Sequence, residues 1–402
     1  MRIMGRCVSR ILALQLIVSV LALCLNVQLG RSNPATITVP DDYLTIQEAI
    51  DHANAGDTIF VRNGIYDEHI EIDKPLTLQG ESNGNTLLKL RNVGNSAYGI
   101  HIQASFVTIS GFKMIPYKYE VMLVTIDGRE HPCFNNTIRD NILTSSGNDA
   151  LVALYSDNNS IVDNQVSLDD QEGACIAGIF VRSCIIRNNT VRGGWMGIGI
   201  MESYDNIITD NVVKQTSLCN AFEGVIMGGA VSLVGSSNSV VARNTMADNK
   251  RGIEVTGYSS SNRIYHNNFV NNTKHFYVGD ELANSWDDGY PSGGNYWSDY
   301  NDSDVYSGPC QNETGSDGIG DTPLTLKTNN LDNYPLMNPY WNPADVNRDL
   351  RVDIKDVLAV SRALGSCPSD PKWNPLCDVN NDLKVDIKDY YIVCKNYGKT
   401  YP

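Results

Sequence analysis

The chain is short of positive charge and of histidine, with only six of the latter in 402 residues, and it holds no Cys-x-x-Cys pair. A formal net charge of −15 disfavours nucleic acid and anionic membrane surfaces as partners, because both need basic patches. It also disfavours polyanionic polysaccharides unless a cation bridges them. Without Cys-x-x-Cys, a structural zinc site lacks its usual spacing. Arg2, Arg6 and Arg10 precede "ILALQLIVSVLALCLNV", a mostly apolar run that is short for a membrane span. Residues 1–30 therefore read as a secretory signal peptide, the alternative being an uncleaved membrane anchor. Leu23 stands where a lipid anchor on Cys24 would want a small residue. Removing residues 1–30 takes away three arginines and no acid, which lowers the charge to −18 and leaves eight of the ten cysteines. Disulfides are permitted in an exported chain, but eight cysteines allow 105 pairings and none is assigned.

What the chain does have is a repeat. Six segments fit Asn-x-Ile-x-x-Asn-x-apolar: "NTIRDNIL", "NSIVDNQV", "CIIRNNTV", "NIITDNVV", "SVVARNTM" and "NRIYHNNF". Their second asparagines are Asn141, Asn164, Asn189, Asn211, Asn244 and Asn267, spaced 23, 25, 22, 33 and 23 apart. Three residues before each stands Ile138, Ile161, Ile186, Ile208, Val241 or Ile264; two residues after stands Leu143, Val166, Val191, Val213, Met246 or Phe269. Asparagine, glycine and β-branched residues in short runs exclude a helical repeat and point to stacked coils of short strands. Coils about 4.8 Å apart pair their backbones with the coil above and below, while asparagines at one bend form an amide ladder. The fold class is mainly β: a parallel β-helix, a solenoid stabilised by its neighbouring coils. In "TIQEAIDHANAGDTIFV", Thr45 and Glu48 have capping-box spacing, and Ile46, Ala49, Ile50 and Ala53 form one apolar face. This predicts an N-terminal capping helix stopped by Gly56, with "DTIFV" as the first strand.

The stretch from Thr45 to Gly80 resembles the opening of many right-handed, pectin-lyase-like β-helix proteins, pectinesterases and lyase-like proteins included. "SGGNYWSDY", "DGIGDTPLTL" and "DNYPLMNP" resemble the tail of NosD-type β-helix proteins. The resemblance covers residues 36–339 and implies a right-handed, single-stranded parallel β-helix over 34–340, of which 279–340 form the C-terminal cap and linker. It implies little about chemistry, which has to come from a site.

A second repeat follows. "DVNRDLRVDIKD" at 345–356 returns as "DVNNDLKVDIKD" at 378–389. An EF-hand loop takes ligands from positions 1, 3, 5, 7, 9 and 12, position 7 through its backbone carbonyl. Those positions are Asp345, Asn347, Asp349, Arg351, Asp353 and Asp356, then Asp378, Asn380, Asp382, Lys384, Asp386 and Asp389. Every side-chain position carries oxygen, and a hard cation such as Ca²⁺ suits such a set. Prolines in "NPYWNPA" and "DPKWNPLC" forbid an incoming helix, whereas "VLAVSRALG" and "YYIVCKNYG" read as exiting helices ending at glycine. Each copy is thus half an EF-hand, or F-hand. The pair resembles a type I-like dockerin over 341–402, which implies two Ca²⁺ sites and a cohesin-domain partner. Positions 10 and 11, implied by that resemblance to read the cohesin, are Ile354–Lys355 and Ile387–Lys388; their equivalence suggests two binding orientations. Leu350 and Leu383 replace the usual glycine at position 6, a left-handed turn that costs about 1–2 kcal/mol, so weaker calcium binding is expected.

For the cylinder, the bend after the ladder brings Asp169 and Asp170, then an insertion carrying Glu223, then Arg251, onto one side. These are the candidate catalytic residues for a glycoside hydrolase or a polysaccharide lyase acting on extracellular carbohydrate. A non-catalytic surface-structural scaffold is the alternative. Copper handling, suggested by the NosD resemblance, ranks last: the histidines are scattered and no His-x-His occurs. The column Asp140, Asp163, Asn188, Asp210, Arg243, His266 reads as polar side chains on the outside of a strand rather than a metal track. Oxygen-rich turns in 299–321 allow a further Ca²⁺ site, and Trp286, Tyr296, Trp297 and Tyr300 suit either sugar stacking or packing over the open end. The whole reads as a secreted or cell-surface protein.

Overall fold

The computed structural model describes residues 34–91, 98–117, 121–146, 149–169, 172–220, 226–340, 343–347, 351–368, 370–380 and 382–398. Residues 1–30, with the proposed signal, lie outside the described residues. Short strands gather into three parallel sheets of ten, nine and ten strands, successive coils adding to each. The chain is a parallel β-helix, as the repeat predicts. In the first sheet Ile109, Ile138, Ile161, Ile186, Ile208, Val241 and Ile264 stand in one row. In the second, Leu143, Val166, Val191, Val213, Met246, Phe269 and Trp297 form another. None of these side chains is more than 2 % exposed. Each contributes roughly 1.5–3 kcal/mol by burial, so the register of the repeat is fixed by its core-facing positions.

The bends explain the asparagines. From Asn141 to Asn267, each ladder residue donates its own backbone N–H and its Nδ2 to the Oδ1 of the asparagine one coil on, at 2.9–3.2 Å. The series runs on through Asn295 to Asp332. The first position of the repeat builds a second ladder: Asn136, Asn159, Cys184, Asn206, Ser239, Asn262, Asn284 and Asn330, with sulfur or hydroxyl standing in for amide where the sequence varies. The column from Asp140 to His266 is not on a strand. All six residues are left-handed, with φ between 56° and 59°, so they make the bend itself. Asp and Asn tolerate that conformation, which accounts for the acidic appearance of the column.

At the front, helix α1 (Ile46–His52) buries Ile46, Ala49 and Ile50 over the open end. Thr45 accepts from the Glu48 N–H at 3.2 Å, while the Glu68 carboxylate, rather than Glu48, takes the N–H groups of Ile46 and Gln47 at 3.0 Å each. Two expectations are corrected. The helix ends at His52, where Ala53 turns to ψ 150°, before Gly56 is reached. The first strand is Thr36–Val39, paired in parallel with Thr58–Val61. At the back, Trp286 and Trp297 are fully buried, Trp297 stacked on Phe269 with centroids 4.2 Å apart. Their indoles donate to Asn330 and Asp332, the ends of the two ladders, at 2.9 Å each. Gly294 is required here: a Cβ would lie 1.8 Å from Asp332 Oδ1. The two tryptophans therefore close the cylinder rather than face sugar. In 299–321, Asp304 accepts from the N–H groups of Asp317 and Gly318, and Asp321 from those of Val305 and Tyr306. These carboxylates shape the turns.

The C-terminal region forms its own small core around Ala344, Val346, Val352, Val360, Cys377, Val385 and Val393. Helices α2 (Ile354–Ala363) and α3 (Ile387–Lys395) follow the two acidic loops, each ending before a left-handed glycine, Gly365 and Gly398. Among the described residues no disulfide joins Cys133, Cys175, Cys184, Cys219, Cys310, Cys377 and Cys394. Burial pushes the thiols of Cys175 and Cys184 up to about 12 and about 11, which makes them inert packing groups.

Candidate functional site

The nine-stranded sheet carries a continuous row on its outer face: Glu71, His101, Thr125, Val152, Ala177, Gly199, Ser232, Glu254 and Tyr277. Its middle is apolar. Val152, Ala174, Ala177 and Met196 bury one another beneath Met122, Leu154, Trp195 and Met201. Both ends are charged, and each opens into a cleft of 620 Å³. Six strand spacings separate Glu254 from His101, roughly 29 Å.

At the far end the cleft is lined by Met227, Arg251, Glu254, Lys274, Tyr277 and Asp280, among others. Arg251 Nη1 donates to Glu254 Oε1 at 2.7 Å and to the Gly228 carbonyl at 3.1 Å, and Glu254 Oε2 accepts the Gly228 N–H at 2.9 Å. Arg251 and Glu254 are 5 % and 1 % exposed, and Arg251 Nε has no partner among the described residues. The guanidinium lies 4.5 Å from the Tyr277 ring centroid, a cation–π contact with a half-exposed aromatic. Burial pushes the Glu254 carboxyl up, opposed by the Gly228 N–H and Arg251. The insertion borders this cleft: Cys219–Asn220 pairs antiparallel with Ile226–Met227.

The structure therefore puts Arg251 in a cleft, but with Glu254 rather than with Asp169. Asp169 is exposed at the end of the strand Gln165–Leu168, three strand positions along the stack. Asp170 and Glu223 lie outside the described residues. Glu254 was missed because residues three apart in a strand point to opposite faces. Here Gly252 is skipped in the pairing and its Cβ direction points at Phe269, which returns Glu254 to the side of Arg251.

The near end holds an array that sequence reasoning did not find. His69 Nε2 and His101 Nδ1 meet the two oxygens of Glu71 at 2.7 and 2.9 Å, and His101 Nε2 meets Asp127 Oδ2 at 3.2 Å. Arg129 grips Asp127 through Nε and Nη2 at 2.9 and 2.6 Å and also donates to the Tyr98 hydroxyl at 2.6 Å. The Arg129 guanidinium holds the buried Asp127 carboxyl down to about 2. The cleft before this array is lined by Gln47, Asp51, Glu71, Asp73, Tyr98, His101 and Gln103. The sole sequence signal is the stacking register, which coils of unequal length obscure.

The described parts of the two acidic loops share a hydrogen-bond pattern. Asp356 accepts the N–H of Asn347 and of Asp353 at 3.0 and 2.8 Å; Asp389 accepts those of Asn380 and Asp386 at 3.1 and 2.8 Å. Asp353 and Asp386 each cap the following helix by accepting an N–H, from Lys355 and Lys388, at 2.7 Å. Asp356 and Asp389 are fully buried, and Asp345 and Asp378 nearly so. A carboxylate offers about four lone-pair sites, so one hydrogen bond per oxygen leaves capacity for a cation. The donor set thus fits Ca²⁺, although among the described residues no group of three His, Cys, Asp or Glu is already arranged around one point. Asp349 and Leu350 lie outside the described residues. Leu383 does take the left-handed turn, at φ 64°. Ile354 and Ile387 are 54 % and 68 % exposed, beside exposed Lys355 and Lys388. One helical turn on, Leu358 and Tyr391 are exposed at the same offset, a feature not read from sequence.

A family model described as periplasmic copper-binding protein (NosD) matches residues 46–216 and 171–302, and one for the dockerin type I domain matches 343–397. No curated protein sequence matches the chain. Solved structures match the chain at low identity. DFA-IIIase from Arthrobacter chlorophenolicus A6 in complex with GF2 is 15 % identical, covering 62 % of this chain and 71 % of its own, with a TM-score of 0.45. The periplasmic alginate epimerase AlgG is 15 % identical over 67 % and 75 %, with a TM-score of 0.40. The catalytic domain of a GH87 α-1,3-glucanase with nigerose is 14 % identical over 67 % and 51 %, with a TM-score of 0.42. Among the described residues no helix is long and apolar enough to cross a membrane.

Proposed function

Because the chain belongs to the NosD family and carries a dockerin type I domain, we propose that it is an exported β-helix protein docked by Ca²⁺-dependent cohesin binding, with its nine-stranded sheet turned toward extracellular carbohydrate. One observation carries this reading: the two acidic loops repeat the same hydrogen bonds, the same buried acids and the same exposed Ile–Lys pair. When bound, Ca²⁺ would draw the loop carboxylates together and fix the exit angle of each helix. The residues that would hold it are Asp345, Asn347, Asp349, the Arg351 carbonyl, Asp353 and Asp356, and their counterparts Asp378, Asn380, Asp382, the Lys384 carbonyl, Asp386 and Asp389. Ile354, Lys355, Ile387 and Lys388, with Leu358 and Tyr391 behind them, then form two equivalent faces for the partner.

The carbohydrate reading rests on the outer face of the sheet, where an apolar strip links two clefts supplied with carboxylates, amides and an aromatic ring. Arg251, Glu254 and Tyr277 are the residues we assign to the far cleft. A calorimetric titration of the full chain with Ca²⁺, then with a recombinant type I cohesin domain, tests the docking. Binding should appear with Ca²⁺ and vanish in EGTA; binding indifferent to EGTA would refute it. Copper, named in the family description, is tested by the same titration with Cu²⁺ on chain whose loops are already loaded with Ca²⁺.

A further inference from the structure

We propose that His69, Glu71, His101, Asp127 and Arg129 form an acid–base centre that hydrolyses a neutral glycan bound at the near end of the nine-stranded sheet. This rests on the carbohydrate reading above and adds to it a site, a chemistry and a ligand class.

Proton counting is the first support. His69 Nδ1 lies 2.9 Å from the Tyr98 carbonyl while its Nε2 faces Glu71; His101 faces Glu71 with one nitrogen and Asp127 with the other. Four ring nitrogens thus face four acceptor oxygens, whereas two neutral imidazoles supply only two N–H groups. The contact set closes only when further protons sit on the rings or on Glu71. Glu71 is the exposed member, with 43 % of its side chain accessible, so the array meets solvent and ligand through this carboxylate. The other end is anchored. Asp127 takes Arg129 through both oxygens and its backbone N–H at 3.0 Å, and Asp127 in turn orients the His101 ring. A group held by an oriented base at the mouth of a cleft is the geometry of general acid–base catalysis.

The lining selects the ligand. Asp51, Glu71 and Asp73 put three carboxylates around the cleft, and among the described residues no lysine or arginine lines it. Arg129 is committed to Asp127 and Tyr98. Lys74 Nζ, 3.8 Å from Asp73, offsets one of the three carboxylates; the other two would still repel a uronate chain, whereas neutral sugar hydroxyls would find acceptors in the carboxylates and in Gln103, with the Tyr98 ring beside them. In the step proposed, a proton shared within the array passes from an imidazole through Glu71 to the glycosidic oxygen as the C1–O bond breaks and its electron pair goes to that oxygen. Water adds to C1 and gives its proton to Asp51, the carboxylate that α1 contributes. One water is consumed, and one new reducing end appears. His101 and Asp127 are positioning residues.

The test uses the full Ca²⁺-loaded chain with cellohexaose, xylohexaose, mannohexaose and maltohexaose, and hexagalacturonate as the anionic comparator. Reducing ends and calorimetric binding are both followed. At least one neutral hexasaccharide should be cut and hexagalacturonate left intact. Glu71→Gln should lower kcat by about 100-fold or more with KM little changed, and Glu71→Asp covers the case in which the amide variant fails to fold. Asp127→Asn should displace the pH–rate profile, which a purely structural role would not do. Binding without cleavage overturns the acid–base centre but leaves the carbohydrate reading standing. Cleavage that survives Glu71→Gln, or cleavage of hexagalacturonate, overturns the site or its ligand class. Neither binding nor cleavage overturns both.

Discussion

Asn211 offers a direct measure of what the amide ladder contributes. Its Oδ1 accepts the backbone N–H and Nδ2 of Asn189 at 2.9 and 3.0 Å; its Nδ2 donates to the Ile186 carbonyl and to Asn244 Oδ1, both at 2.9 Å. The residue is 1 % exposed, so water cannot replace these partners. Asn211→Ala leaves the buried Asn189 N–H without an acceptor, which costs about 1–3 kcal/mol. It also removes one donor from Ile186 and opens a small void, so the total loss should be about 2–4 kcal/mol. Thr190→Ala, at an exposed position one residue past Asn189, should stay within about 0.5 kcal/mol. Urea denaturation in saturating Ca²⁺, followed by far-ultraviolet circular dichroism, reads both. Asn211→Asp adds a sign test. A carboxylate keeps the acceptor but loses the donor and faces two oxygens, so its folded pKa must rise above the unfolded value. Its stability should then recover as pH falls toward 4. If Asn211→Ala costs under about 1 kcal/mol, or no more than Thr190→Ala, the ladder is ornament and the apolar rows alone hold the coils.

Three further outcomes follow from the geometry. Leu383→Gly should tighten calcium binding at the second loop by about 5- to 30-fold, the equivalent of the roughly 1–2 kcal/mol a left-handed turn costs a non-glycine residue, as read by calorimetry; unchanged affinity would remove strain as the reason. Burial pushes the Asp332 carboxyl up to about 7, so the folded chain keeps a proton that the unfolded chain releases near pH 4. Its stabilising effect is full below about pH 4 and is lost as pH rises toward 7. Asp332→Asn should therefore gain on the parent between pH 5 and 8, and a difference that does not vary with pH would refute the raised value. Finally, reversing charge at Lys355 or Lys388 alone should leave cohesin affinity nearly intact, whereas changing both should abolish it; a full loss from either single change would contradict two equivalent faces.

The apolar rows were legible because a stack of coils forces the same spacing at every level: Ile138 and Leu143 announce their rows five positions apart. The asparagines were legible for the same reason, and the acidic loops because position, not packing, defines a ligand set. Three features escaped. Thr36–Val39 lies ahead of the cap helix, and reading the helix as the start of the fold concealed it. Glu254 depends on a skipped residue at Gly252, a change of face that period-two reasoning cannot foresee. The histidine array joins residues from three coils of unequal length, so its members become neighbours only once register is known. The column from Asp140 to His266 was misplaced because a left-handed bend and an outward strand position both favour Asp and Asn.

Since each level from Asn141 to Asn295 presents matching amides to the level on either side, the cylinder is modular along this part of its axis. Excising the single coil that runs from Thr190 to Asn211 would rejoin surfaces of the same chemistry, because Asn189 and Asn244 end the coils on either side of it in the same ladder. The two clefts would then draw closer by a single rung, about 4.8 Å, so the reach between them is a quantity this architecture can lengthen or shorten by whole turns.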